Sequence, residues 1–264
     1  MSAGSSPSAR VTVWLLLLVM AAAGWAVAFT QARSMSNMSG VDMGLVSGMS
    51  MGPAPLLLFL AVWIAMMVAM MFPSVAPMVM LFATVSRNRR LAGERTAPTS
   101  VFLVGYLAVW GLFGIGAYLV SLIVPAMGMA GPGLRVYSPL MGGLVLILAG
   151  LYQWSPLKRV CLEHCRSPLA FLLHGWSDGY AGAFRMAVTH GAYCVGCCWG
   201  LMIVLFAVGF MSLGWMVLLA AVIFVEKIVR HGQLIGKFVG AALVLYGMAG
   251  IAISLLHRLA PGST

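Results

Sequence analysis

Five cysteines stand in two short segments, and each segment also carries a histidine. The stretch 187–200 reads AVTHGAYCVGCCWG. On a helix His190, Cys194, Cys197 and Cys198 fall at i, i+4, i+7 and i+8 and therefore share one face. Three thiolates and an imidazole make a shell that suits Cu(I) first and zinc second, because soft sulfur ligands favour both ions. The competing reading is close helix packing, in which cysteine serves as a small apolar residue. The second segment, SPLKRVCLEHCRSP, brings Cys161 within one helical turn of His164 and Cys165. A bare C-x-x-x-C on a solvated loop is the plain alternative. Lys158, Arg159 and Arg166 nearby would favour the thiolate form.

Thioethers extend the soft-donor set, the chain having 21 Met beside its 5 Cys. The stretch MSNMSGVDMGLVSGMSMG places Met35, Met38, Met43, Met49 and Met51 among glycines and serines. Burial cannot explain methionines there, whereas flexible spacing lets two or three thioethers wrap one Cu(I). The alternative is a linker of chance composition. Within WIAMMVAMMFPSVAPMVM, Met66 and Met70 are spaced i, i+4, as are Met67 and Met71. Methionine stripes are often adaptable packing, but beside the Met-rich loop this one reads as an inward path. Pro73 and Pro77 predict a kink or break near Phe72.

The elements that must position these donors are transmembrane. The 264 residues are 62% hydrophobic and 8% charged, with a mean hydropathy of +1.03. A soluble domain has about 45–50% apolar and about 25% charged residues. An ordinary soluble enzyme, a disordered chain and a disulfide-stapled secreted domain are excluded. Apolar runs near the length of about 20 residues needed to span a bilayer are Val11–Thr30, Leu56–Val85, Ser100–Val124, Pro139–Trp154, His190–Phe210, Leu213–Val225 and Phe238–Leu256. The fold class is all-α, a single polytopic bundle of about seven spans. The count is six if Val11–Thr30 is a cleaved signal segment, for which Ala26-Val27-Ala28 is the candidate cleavage site. Its length favours a retained helix.

The formal charge of +10 does not indicate nucleic acid, because the basic residues sit in short runs between apolar segments. With the N-terminus inside, all Lys and Arg except Arg33, Arg135 and Arg258 fall on the cytoplasmic side. Residues 31–55 then form a Met-rich periplasmic loop, and 155–189 a cytoplasmic loop with a Cys/His cluster. The five acidic residues are read as lying outside the membrane centre, which argues against a pump built on buried carboxylates. No paired carboxylates, phosphate loop or Ser/His/Asp set appears, so no catalytic residue is assigned.

The segments AMMFPSVAPMV, SPLKRVCLEHCRSP and GAYCVGCCWGLM, with the Glu226-Lys227 pair closing a span, resemble one bacterial family. It is a family of predicted metal-binding integral membrane proteins, copper-chaperone-like partners of copper enzymes such as tyrosinase-type polyphenol oxidases. The likeness covers most of Pro53–Met248, and the cysteine motifs are its most specific parts. It implies functional positions at Cys161, Cys165, Cys194, Cys197 and Cys198. The resulting expectation is a multi-pass inner-membrane protein that binds Cu(I) and passes it to a copper-enzyme client, to a soluble metallochaperone or across the bilayer. Two rivals stand beside it: a membrane thiol–disulfide oxidoreductase using C-x-x-C, and a metal-free structural subunit.

Overall fold

The computed structural model describes residues 7–37, 53–124, 132–208 and 213–259. It is all-helical, with no strand among those residues. The helices are α1 (Pro7–Asn37), α2 (Pro53–Leu91), α3 (Thr99–Val124), α4 (Pro132–Tyr152), α5 (Pro156–Arg166), α6 (Pro168–Gly175), α7 (Gly179–Val208), α8 (Leu213–Ile228) and α9 (Gly232–Leu259). Five of them are long and apolar enough to cross a membrane. The pair α4–α5, bent by 61° at its junction, makes a sixth if it counts as one span. The 16 residues of α8 fall short of a standard span. Within the described residues, all seven runs read from the sequence are nevertheless helical, apart from a turn at 153–154. Leu16, Val19, Leu57, Leu112, Phe238 and Leu245 point outward, as expected of side chains that face lipid rather than water.

One expectation about these elements needs correction. The break near Phe72 is not there, for α2 runs unbroken through Pro73 and Pro77. Each proline removes one N–H from the helical ladder, but the surrounding helices hold the segment in place. Phe72, Val75, Ala76 and Val79 are each 2% exposed or less. At 1.5 Å per residue, its 39 residues reach about 58 Å, well beyond a hydrocarbon core of about 30 Å. The segment 155–189, read from the sequence as one loop long enough for a short surface helix, carries helical structure. It holds α5, α6 and the opening turns of α7.

Local sequence explains these short helices. Ser155 caps α5 by accepting a 3.1 Å hydrogen bond from the Lys158 amide, and Pro156 occupies the first turn, where no donor is lost. Pro168 likewise starts α6 and separates it from α5. Gly179, at φ 75°, turns the chain into α7, and its N–H donates to the Arg95 carbonyl at 3.0 Å. The core then assembles around α7, which packs against α3, α4, α5 and α8. Elsewhere α1 packs on α2, α2 on α3 and α8, and α4 on α9, while α8 also touches α5 and α9.

Candidate metal centre

The face predicted on α7 is a buried face. The sulfurs of Cys194, Cys197 and Cys198 all lie within 4.8 Å of one another, and none of the three residues is more than 2% exposed. Cys197 and Cys198 direct their thiols to the Cys194 carbonyl at 3.1 and 2.9 Å, the local bonding that a helix offers to short polar side chains. A fourth thiol arrives from a different element: Cys165 of α5 is 3.8 Å from Cys197, sulfur to sulfur. Cys165 is half-buried, so the sulfur set runs from the protein surface into its interior. Cys161 is buried one turn earlier on α5, with its sulfur pressed against Gly196. A methyl at Gly196 would stand 2.6 Å from that sulfur, so only glycine lets α5 approach α7 this closely. Tyr152 fixes the same turn by donating its hydroxyl hydrogen to the Gly196 carbonyl.

Charge converges on the same place. Lys227 of α8 puts Nζ 3.0 Å from the Cys194 sulfur and donates to Ser74 Oγ at 3.2 Å. Ser74 in turn donates to the Met71 carbonyl at 2.9 Å, which ties α8 to the proline-bearing part of α2. The Tyr106 hydroxyl of α3 lies 3.1 Å from the Cys194 sulfur. Beside this cluster, Lys158 of α5 and Glu226 of α8 form an ion pair at 2.7 and 2.9 Å, each side chain 2% exposed. Lys158 also donates to Gln153 Oε1. Lys158 and Lys227, counted in the sequence among aqueous topology charges, are therefore buried. Glu226 is buried with them rather than solvated. A charge at the end of an apolar run can mark either a water-facing boundary or an internal ion pair, and only packing separates the two.

The remaining candidate ligands are distributed less evenly. His190 is 2% exposed and stands outside the 4.8 Å sulfur group. Its Nδ1 has no hydrogen-bond partner. His164 is exposed and stacks on Tyr193 at 4.2 Å, instead of joining Cys161 and Cys165. Met66 and Met70 belong to the same buried cluster as the thiols, with 4% and 1% exposure. Met35 lies on the last turn of α1, while Met38, Met43, Met49 and Met51 fall outside the described residues. Sequence reasoning missed Lys227, Ser74 and Tyr106 as neighbours of the site, and it read Lys158 as a charge acting on the thiols rather than as the buried partner of Glu226. The one signal for them was the Glu226-Lys227 pair closing an apolar run.

Three buried thiols with a fourth at the edge form a soft-donor set whose chemistry fits Cu(I). The ammonium of Lys227 can offset part of the negative charge that thiolates bring into a low-dielectric interior. The class so defined is an all-helical bundle of apolar, span-length helices built around a buried thiol centre able to hold a metal. Residues 60–250 match a family described as PpoB2, copper chaperone, and the chain belongs to that family. Its function is accordingly copper-related. No curated protein and no solved structure matches the chain.

Proposed function

We propose that this protein is a multi-pass protein of the bacterial inner membrane, N-terminus in the cytoplasm, that binds Cu(I) and hands it on or moves it across the bilayer. The recipient is a copper enzyme undergoing maturation, of which a tyrosinase-type polyphenol oxidase is an example. The observation that carries this reading is the group of three buried sulfurs within 4.8 Å in a chain of the copper-chaperone family. Copper is the cargo, and ligand exchange among sulfurs moves it without bond-making on any substrate. Cys194, Cys197 and Cys198 form the inner stage, and half-buried Cys165 is the exchange point nearest the surface. Cys161 shapes that exchange point, and Lys227 balances the charge of the inner stage. The five methionines of 35–51 capture or release the ion on the far side, and Met66 and Met70 continue the thioether route inward.

Metal analysis of protein purified anaerobically in detergent tests the proposal. The full chain should carry stoichiometric copper, Cys197→Ser should lose most of it, and a substitution at exposed Ala192 should not. Equal copper in the two variants would reduce the cysteine face to packing. The 3.8 Å approach of Cys165 to Cys197 favours one further reading, a thiol–disulfide exchanger. That reading expects Cys197→Ala to trap a mixed disulfide with a partner, and it expects no bound copper.

A further inference from the structure

Two histidines outside the thiol centre are prepared as ligands in the same way. His164 on α5 and His174 on α6 each place Nδ1 2.9 Å from the backbone carbonyl four residues earlier, Val160 and Ala170 respectively. A carbonyl only accepts, so in each neutral ring Nδ1 carries the proton and Nε2 keeps its lone pair. A backbone carbonyl on the far nitrogen is also the usual outer support of a metal-binding imidazole. Both rings line one cleft of about 350 Å³ between α5–α6 and α7, together with Phe171, Thr189 and Tyr193. Tyr193 stacks on His164 with an interplanar angle of 11°, which holds that ring in place.

The inner wall of the cleft leads toward the sulfurs. Phe171 meets the His190 ring edge-on at 5.4 Å. Behind it, His190 is buried with an unpartnered Nδ1, an arrangement that forfeits a hydrogen bond unless a ligand uses the atom. His190 precedes Cys194 by one turn of α7 and lies on the same face. Neutral imidazoles bind copper less softly than thiolates, so a histidine stage can accept the ion and surrender it to sulfur.

We propose that this cleft is a transfer stage for copper, in which His164 and His174 hold the ion through Nε2 and His190 relays it past Phe171 to the thiol centre. The proposal rests on the reading that the thiols carry copper. The step is ligand exchange with no change in oxidation state, each Cu–N contact being replaced by a Cu–S contact.

Two measurements on the full chain in detergent test it, with chelator-buffered Cu(I) as the probe. In the first, His164→Asn/His174→Asn should load its thiols about tenfold or more slowly than the unaltered protein, the usual scale of effect for disturbed metal shells. The final copper content should not change. His231→Asn, at an exposed turn away from the cleft, should load at the unaltered rate. In the second, a variant with all five cysteines changed to serine should still bind one Cu(I) through nitrogen donors, seen by X-ray absorption, and lose it when both cleft histidines are changed. Normal loading by the double histidine variant overturns the transfer stage, as does a cysteine-free variant that shows no nitrogen-bound copper. Failure of the thiol reading looks different: the unaltered protein would load no copper onto sulfur in the first place.

Discussion

Glu226→Gln isolates the contribution of the buried ion pair to the site. The pair joins α5, which brings Cys161 and Cys165, to α8, which brings Lys227. At 2.7 Å and an effective dielectric of about 20, the mutual attraction is about 6 kcal/mol. Desolvating both ions costs several kcal/mol each, so the intact pair gives little net stability. Losing one partner is different. A neutral amide in place of the Glu226 carboxylate would leave the Lys158 ammonium, 2% exposed, facing that amide and Gln153 without a counter-charge. Breaking a buried pair in this way costs about 3–5 kcal/mol. Replacing both members, Lys158→Met with Glu226→Leu, removes the stranded charge and should recover most of that loss. Unfolding in detergent by denaturant reads the stability, and the alkylation rate of Cys165 reads whether α5 still packs on α7. The single variant should be less stable and alkylate faster, with lower copper content, and the double variant should return toward the parent. A single variant with unchanged stability and alkylation would refute the coupling of this pair to the thiol centre.

Gly196→Ala places a methyl 2.6 Å from the Cys161 sulfur. It should cost about 1–3 kcal/mol by overpacking and lower copper retention, whereas Ala192→Gly on the exposed side should keep its copper. A peptide covering 35–51 should bind Cu(I) weakly at neutral and acidic pH alike and ignore zinc. Thioethers carry no proton to lose, whereas thiol-bound copper is released as falling pH protonates the sulfurs. Changing Met35, Met38, Met43, Met49 and Met51 to Leu should impair delivery only when external copper is scarce, and full delivery under that condition would leave the segment a linker. Impermeant labelling of introduced cysteines should reach position 43, and not position 90, from the periplasm.

The sequence by itself determined the solvent of this protein and the chemistry it can offer. Apolar runs near 20 residues demand helices because the backbone must satisfy its own hydrogen bonds in lipid. The spacing of Cys194, Cys197 and Cys198 demands one shared face because a helix repeats every 3.6 residues. Both are local properties, and both appear in the fold. Only the tertiary structure decided which distant residues complete the site. That Cys165 approaches Cys197 depends on the 61° bend after α4 and on the bare surface of Gly196. That Lys227 reaches Cys194, and Lys158 reaches Glu226, depends on α8 packing beside α5 and α7. Hydropathy registers the cost of a lone charge in an apolar medium, not the partner that removes the cost. It therefore put both lysines in water, and packing brought them inside.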